Sequence, residues 1–248
     1  MRPKSSVSPS RSSRADGSRT RLAILEVAAA LFAEKGFDRA TSKEICERSG
    51  ANMAAVNYHF GSKSGLYEQV LVEAHAHVVS LQTLQDIAAS GDDAPTRLVR
   101  LLKALVLRQP DSPQHVGVRV LLQELLAPSS HLTALVQQAV LPKAAIVFQL
   151  VADVLGLPPT HPAVQRAVAL VLLPCFLMTV VPPQLRDRLV PSVEGDPQST
   201  VDDMAHYALA GLTALRARYA TPRTAEGVKP PSRAARGRGE DRSRTPVR

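Results

Sequence analysis

The chain has 248 residues, 45% of them hydrophobic, which is enough for one or two globular domains with a buried core. The formal net charge is +8, but residues 1–21 and 222–248 carry +5 each, which leaves −2 on residues 22–221. The basic character therefore belongs to the two ends. Cys46 and Cys175 are the only cysteines and lie in separate apolar segments, which argues against a disulfide framework and against a zinc or other metal site.

The first predicted helix covers residues 19–35, and we expect it to end at Gly36. Its apolar residues recur at the i, i+3, i+4, i+7 spacing of one helix face, namely Ile24, Leu25, Ala28, Leu31 and Phe32.

A helix-turn-helix pattern follows. Thr41 and Glu44 form the S/T-x-x-E pattern of a capping box, in which each side chain bonds the other residue's backbone amide. The short helix that they begin should end at Gly50, because glycine tolerates the positive φ of a reversing chain. Asn52 is then placed to cap a second helix.

This second helix carries the side chains that would meet DNA. Val56 and Phe60, four apart, should face the core. On the outward face, alanines allow close approach to thymine methyls, the Asn57 amide can pair with adenine, and the Tyr58 hydroxyl and His59 imidazole can bind phosphate oxygens. Taken singly, Tyr58 and Phe60 could be core aromatics and His59 a surface histidine, so the prediction depends on the spacing of the set.

Lys63 lies in the first turn of the following helix. Its charge and the free backbone amides of that turn could together hold a phosphate.

The run from Ile24 to Tyr67, with AAALFAEKGFDRATSKEICERSGANMAAVNYHFGSKSGLY inside it, resembles the DNA-binding domain of the TetR family of bacterial repressors. The resemblance rests on the Gly36-Phe37 helix end, the capped Thr41, the Gly50 turn and a Tyr-His-Phe-x-x-Lys tail. It implies phosphate contacts on both sides of a reading helix that meets the bases. The DNA-binding set expected from it is Thr41, Ser42, Asn52, Met53, Ala54, Ala55, Asn57, Tyr58, His59 and Lys63.

Two features differ from the usual family pattern. Ser64-Gly65 stands where the family more often has helix formers. The reading helix carries neither Arg nor Gln, so the bases that it would read stay open.

The rest of the chain predicts an all-α fold, because no strand-like alternation bounded by hairpin signals occurs. A connector helix should run from residue 62 towards residue 89, and a break follows at residues 90–95. The helices expected beyond the break cover residues 96–108, 116–127, 130–155, 162–181 and 199–219, with a loop at 110–113 and another at 182–197. Pro142 should kink or interrupt the third of these helices, because a proline inside a helix removes a hydrogen bond and clashes with the preceding turn.

We therefore expect four regions. These are a disordered basic tail at residues 1–18, a helix-turn-helix domain at 19–67, a helical ligand-binding and dimerisation domain at 68–220, and a second disordered tail at 221–248. The tails are rich in Ser, Pro, Gly and Arg and have little apolar surface to bury. Four arginines near the first domain could reach a minor groove or phosphates, or could simply be solvated: Arg11, Arg14, Arg19 and Arg21.

The family resemblance also implies a homodimer formed by the last two helices. Residues 164–178 and 204–215 offer leucines and small side chains for a four-helix interface, although packing inside one subunit is the alternative.

The remaining helices would then enclose an effector pocket, again by resemblance. PSSHL at 128–132 and LPCFLM at 173–178 are more weakly similar to the CerR-type branch of the family, which implies a small hydrophobic effector. Each pocket candidate could equally be an ordinary core or surface residue. The candidates are Arg119, Leu121, Glu124, Leu125, His131, Phe148, Gln149, Phe176 and Met178.

The function expected from these features is a homodimeric repressor, without a cofactor, that a small hydrophobic effector releases from a palindromic operator. A non-specific or architectural DNA binder that acts through the Arg-rich tails is the alternative. An enzyme is disfavoured, because GSKSG at 61–65 lacks the first glycine and the preceding strand of a phosphate loop. His75 and His77 are two apart on a predicted helix and cannot share a metal ion.

We expect a cytoplasmic protein with no membrane partner. The basic N-terminal segment is not followed by the apolar stretch of a secretory signal. The apolar run at 167–183 is interrupted by Pro174 and Thr179 and is shorter than the ~20 residues of a membrane span.

Overall fold

The computed structural model describes residues 11–107, 114–181 and 183–220, which contain helices and turns and no strand. The all-α prediction is therefore confirmed for these residues. In chain order the helices are α1 (Arg11–Arg39), α2 (Ser42–Ser49), α3 (Met53–Phe60), α4 (Lys63–Val78), α5 (Leu81–Ala89), α6 (Ala94–Val106), α7 (Gln114–Leu126), α8 (Leu132–Leu135), α9 (Leu141–Leu155), α10 (Pro162–Val180), α11 (Pro183–Leu189), α12 (Pro191–Gly195) and α13 (Pro197–Ala220).

Helices α1 to α4 form the head of the molecule. α1 begins at Arg11, earlier than expected, so residues 11–18 of the predicted tail are helical; residues 1–10 of that tail and the tail at 221–248 lie outside the described residues. Gly36 leaves the helical conformation at φ 74°, where the sequence predicts the end of α1, and the helix resumes briefly to Arg39. The core of the head is apolar and dominated by large side chains that include Ile24, Leu31, Phe32, Ile45, Leu66 and Leu71.

The head does not complete this core from its own helices. Val120 and Leu121 of α7 and Leu135 of α8 are buried in the same apolar cluster as Phe32 and Tyr67. The helices that follow α4 form the body of the molecule, and parts of its helices α7 and α8 therefore belong to the hydrophobic support of the head.

The predicted connector is two helices rather than one. α4 ends at Val78, Val79 takes an extended backbone conformation (φ −158°, ψ 134°), and Ser80 accepts a hydrogen bond at its side chain from the amide of Thr83 (2.9 Å). Serine is more favourable at the N-cap of a new helix than inside a continuing helix, because its hydroxyl accepts a hydrogen bond from an amide that has no partner within the helix. The chain consequently bends between α4 and α5.

Helices α5, α6, α9, α10 and α13 pack around a second core, whose fully buried members include Leu84, Leu98, Leu101, Leu150, Val164 and Val201. Asp93 caps α6 through the amide of Thr96 (2.9 Å), so the break is present at residues 90–93, whereas residues 94 and 95 of the predicted break already belong to α6. The loop predicted at 110–113 lies outside the described residues. The loop predicted at 182–197 contains the short helices α11 and α12.

Pro142 does not interrupt the helix predicted at 130–155, but a π-helical turn precedes it. α8, a π-helical turn at Val136–Val140 and α9 follow one another without leaving helical backbone angles, so the helix continues from Leu132 to Leu155. The π turn lies directly before Pro142 and locally changes the hydrogen-bond pattern where the proline supplies no amide hydrogen. Among the described residues, Leu132–Leu155 is the span long and apolar enough to cross a membrane, rather than residues 167–183. Val151 and Leu155 of this span are buried in the second core, as expected for the core helix of a globular protein.

Candidate nucleic-acid interface

Helix α2 begins with the predicted N-cap, but only one of the two hydrogen bonds of the capping box forms. The Thr41 hydroxyl accepts a hydrogen bond from the amide of Glu44 (3.2 Å), and Gly50 ends the helix at φ 67°. The Glu44 carboxylate turns instead to Lys35 (2.7 Å) and Arg48 (2.8 Å). Its hydrogen bond with Lys35 contributes most to a lowered pKa of Glu44. The cap bond uses the Thr41 oxygen as an acceptor and does not use its hydroxyl hydrogen.

Helix α3 is anchored at both ends. Asn52 caps it by accepting a hydrogen bond at Oδ1 from the amide of Ala55 (2.8 Å). Val56 and Phe60 are buried in the core of the head, as predicted. An eight-residue helix with only two buried side chains presents most of its surface to solvent.

The outward face of α3 contains the side chains expected to meet DNA. Tyr58 is 84% exposed and Met53 is 43% exposed. Asn52, Ala54 and Asn57 are exposed as well, whereas the remaining two candidates, Ala55 and His59, are partly buried. Tyr58 is therefore not a core aromatic, and its ring meets only the neighbouring His59 edge-on (5.0 Å between centroids) among the described aromatic contacts.

Lys63, which the sequence predicts to contact a phosphate, is directed towards other residues of the head. Its Nζ donates hydrogen bonds to the backbone carbonyls of Phe37 and Ala40, each 2.9 Å away, and lies 4.3 Å from the centroid of the Phe37 ring.

Ser62 caps α4 by accepting a hydrogen bond from the amide of Gly65 (3.1 Å). Ser42 is partly buried and Thr41 exposed at the start of α2.

The N-terminal part of α1 runs beside α3. A Cβ atom on Gly17 would lie 4.0 Å from Cε1 of His59. Arg19 pairs with Asp16 (2.8 Å) at the surface, while Arg21 donates to Gln69 (3.2 Å). The side chains of Arg11 and Arg14 lie outside the described part of the structure.

A buried polar junction joins the head to the body. The Tyr67 hydroxyl of α4 donates to the Glu124 carboxylate of α7 (3.0 Å), and both residues are almost fully buried. Ser129 donates to the other oxygen of that carboxylate from its amide (2.9 Å) and its hydroxyl (2.8 Å). Burial, followed by the charge of Glu124, raises the pKa of Tyr67. The tyrosine therefore remains a donor, and the carboxylate is satisfied on both oxygens.

The loop before α8 adds an aromatic contact to this junction. His131 approaches the Glu68 carboxylate through Nδ1 (3.0 Å). Its ring centroid lies 4.8 Å from that of Phe37 and 5.3 Å from that of Tyr67. Phe37 thus contacts Lys63 of the head and His131 of the body.

A second polar contact links α9 to the end of α4. Lys143, which is 7% exposed, donates to the backbone carbonyl of His75 (2.8 Å) and approaches Nδ1 of the same residue (3.1 Å). Burial lowers the pKa of Lys143 to about 8. Burial and the charge of Lys143 lower the pKa of His75 to about 4.

The nine candidate pocket residues fall into separate regions. Leu121, Glu124 and His131 are buried at the junction, while Arg119 and Leu125 are exposed on α7. On α9 and α10, Phe148 and Met178 are partly buried, whereas Gln149 and Phe176 are exposed. The sequence did not single out Tyr67, Glu68, Ser129 or Lys143 as functional; the one local signal was a lysine directly after Pro142 in an apolar segment.

Comparisons with known proteins agree with this geometry. Residues 24–70 match the family described as bacterial regulatory proteins, tetR family, and residues 94–215 match the C-terminal domain of the HTH-type transcriptional dual regulator CecR. The weaker similarity of the body, given above as CerR-type, corresponds to this CecR domain. No curated protein matches the chain.

Solved structures share the fold at low sequence identity. A transcriptional regulator from Pseudomonas aeruginosa PAO1 aligns with TM-score 0.60 and 16% identity over 84% of this chain and 95% of its own. GusR from Salmonella enterica aligns with TM-score 0.54 and 20% identity over 80% and 95%. A TetR-family regulator from Mesorhizobium loti aligns with TM-score 0.51 and 16% identity over 85% and 98%. With matches to both the helix-turn-helix head and the helical body, the chain belongs to the TetR family and is a DNA-binding transcriptional regulator.

Proposed function

We propose that this protein is a homodimeric repressor that α3 directs to a near-palindromic operator and that a small hydrophobic effector releases. The exposed outward face of α3, held by a capped and buried helix-turn-helix, is the observation that carries the proposal. An eight-residue helix is about 12 Å long and fits within the width of the major groove.

Within this face, the proposed roles follow from chemistry and exposure. Ala54 and Ala55 allow the backbone of α3 to approach thymine methyls, and Asn57 pairs with adenine. Asn52 uses Oδ1 as its cap acceptor, so its amide hydrogens are the groups available to DNA. Met53 adds apolar contact beside it.

Phosphate contacts would flank the reading face. The proposed donors are the hydroxyls of Thr41, Ser42 and Tyr58 and the imidazole of His59, and they position the helix without reading sequence. The Thr41 oxygen already accepts the cap hydrogen bond from Glu44, so its hydroxyl hydrogen would be the group that meets the phosphate.

The proposed dimer interface is an apolar face that is exposed in the part of one subunit that the structure describes. Leu170, Leu173 and Leu177 of α10 share one helix face and are 66%, 68% and 53% exposed. On α13, Tyr207 is 81% exposed, and Gly211 offers a small contact on the same face. Pairing these faces across a two-fold axis would build the four-helix interface and place two α3 helices on one duplex.

The buried junction would connect the effector to DNA binding. Glu124 accepts the hydrogen bond of Tyr67 of α4 and is itself held by Ser129, so an effector that displaces α7 or its following loop must also disturb α4 and the adjoining head. An effector must prefer one of two states by roughly 5.5 kcal/mol to move a 1:99 population to 99:1, so a weak apolar ligand would release the operator only in part.

The proposal is tested by selecting duplexes from a random-sequence library with the full-length protein. The expected result is an enriched near-palindrome whose preference relaxes at one position per half-site in Asn57→Ala, because that variant loses one base contact. Apolar compounds that raise the melting temperature of the protein are then expected to weaken binding to the enriched duplex. Selection without any enriched sequence would contradict the proposal and would favour binding through the basic ends.

A further inference from the structure

Lys63 holds the head together through the end of α1. Its ammonium group donates to Phe37 and Ala40, whose carbonyls lie at the C-terminal end of α1, where a helix leaves acceptors without intrahelical partners. A lysine at this position satisfies those acceptors and interacts favourably with the negative end of the helix. The nearby Phe37 ring adds a cation–π contact at 4.3 Å.

The Lys63 hydrogen bonds connect two parts of the chain that lie on either side of α2 and α3. The turn that contains Ala40 leads directly into Thr41, the N-cap of α2, while Lys63 itself begins α4 directly after α3 and its capping turn. The Lys63 bonds therefore close the segment from α1 to α4 into a loop that contains α2 and α3. The angle at which α3 leaves the head depends on this closure.

Turning Lys63 towards a DNA phosphate would break both bonds. Two carbonyls at the end of α1 would lose their partner, and the Phe37 ring would lose its cation. The gain would be one phosphate contact at the edge of the interface, where Tyr58 is already 84% exposed and available.

We propose that Lys63 is a positioning residue that fixes the orientation of the reading helix through the α1–α2 turn, and not a phosphate ligand. This inference rests on the proposed DNA binding by α3. It extends that proposal because it distinguishes the residues that contact DNA from a residue that fixes the orientation of the helix carrying them.

The test compares Lys63→Met with the matched variant Lys43→Met in the full-length protein. Lys43 is on α2, and its side chain is 84% exposed. Affinity is measured against a duplex selected by the wild-type protein and against a scrambled duplex of the same composition, each over a range of salt concentrations. The fraction of protein that can bind DNA is measured by titration.

For Lys63→Met we expect the affinity for the selected duplex to fall about tenfold or more, because the α1–α2 turn would be released in the free protein and binding would have to restore its orientation without these hydrogen bonds. The affinity for the scrambled duplex, its salt dependence and the binding-competent fraction should stay at wild-type values. Hydrogen exchange at the amides of residues 41–44 should become faster. Lys43→Met should match the wild-type protein in hydrogen exchange and in sequence preference.

Two results would overturn the proposal. A phosphate ligand would show equal losses for both duplexes and a shallower salt dependence, by about one ion per subunit. A merely stabilising residue would lower the binding-competent fraction and leave the affinity for the selected duplex unchanged.

A second variant keeps the test decisive if Lys63→Met does not fold. Lys63→Gln retains hydrogen-bond donors without a charge and should recover most of the affinity for the selected duplex. A Lys63→Gln protein that folds but loses affinity for both duplexes alike would contradict the proposal. If the wild-type protein selects no duplex, the proposed function itself fails, which is a separate outcome.

Discussion

Gly65 sets the distance between α4 and the end of the reading helix. A Cβ atom at this position would lie 2.2 Å from the backbone oxygen of Phe60, which is far inside contact distance. This contact explains why a poor helix former occupies the first turn of α4, one of the two departures from the usual family pattern. The glycine permits a close approach of backbones rather than a special φ angle.

Gly65→Ala should therefore destabilise the protein although alanine favours helices. We expect the free energy of unfolding to fall by about 1–3 kcal/mol, as for other overpacked sites, and DNA binding to weaken because Phe60 must move. The control is the exposed neighbour Ser64→Ala, which should change stability by no more than about 0.5 kcal/mol. Urea unfolding distinguishes the two, and a Gly65→Ala protein more stable than wild type would show that helix propensity outweighs the contact.

His75 should make stability depend on pH. Burial and Lys143 lower its pKa to about 4, whereas an unfolded chain has a histidine pKa of about 6.5. Between these values the unfolded chain binds more protons, so acidification from pH 6.5 towards 4 reduces the free energy of unfolding, by at most about 1.4 kcal/mol per pH unit. The slope measured by urea unfolding should be shallower in His75→Gln than in wild type. Equal slopes in the two proteins would contradict the assignment.

Among the helices, α7 and the loop that follows it hold α4 through the buried bond between Tyr67 and Glu124. Tyr67→Phe keeps the ring contacts and removes only the donor, so one oxygen of a buried carboxylate loses a partner. We expect a loss of about 1–3 kcal/mol in the free energy of unfolding.

The matched control for Tyr67→Phe is Glu34→Gln in the exposed pair with Arg48 (3.3 Å), which should cost less than about 1 kcal/mol. A double-mutant cycle with Glu124→Gln measures the coupling between Tyr67 and Glu124. A coupling energy near zero would show that the Tyr67–Glu124 bond does not couple the head energetically to the body.

Local patterns predicted the helices well where local chemistry decides their ends. The caps by Thr41 and Asn52 and the turn at Gly50 all form as expected. The bend at Val79 was missed, because the apolar period continues through it and only Ser80 marks the new start. The Glu44 side chain was misassigned for a related reason: Lys35 lies on another helix, and its approach cannot be seen from the spacing of Thr41 and Glu44.

In the whole molecule, the apolar face of α10 and α13 requires a partner if the account of the dimer is correct. Leu173→Glu places a charge on this face and should convert a dimer into a monomer in light scattering at micromolar concentration. The control is Leu126→Glu, because Leu126 is 85% exposed at the end of α7, outside this face. A wild-type monomer, or a dimer that Leu173→Glu leaves intact, would contradict the interface.

Contacts between residues far apart in the sequence determine which of the candidate residues lie in the same site. Sequence composition does not reveal such contacts. Glu124 stands among leucines, so its sequence context fits a pocket or a surface equally well. In the fold it meets Tyr67, which is 57 positions away, and becomes part of the junction instead. Phe176, also a pocket candidate, is 47% exposed beside Leu173 and Leu177, where it suits the proposed interface better than an interior wall.

The most direct test of the central claim, that α3 recognises DNA, compares Tyr58→Ala with a chain that lacks residues 221–248. Tyr58 is so exposed that its loss should leave the fold intact. We expect Tyr58→Ala to weaken competitor-resistant binding to a selected duplex about tenfold or more, since a hydrogen bond to a charged group contributes about 1.5–3 kcal/mol. The truncated chain should keep its preference for that duplex. If Tyr58→Ala binds like wild type and only the truncation abolishes binding, the basic end carries the interaction and the account of α3 is wrong.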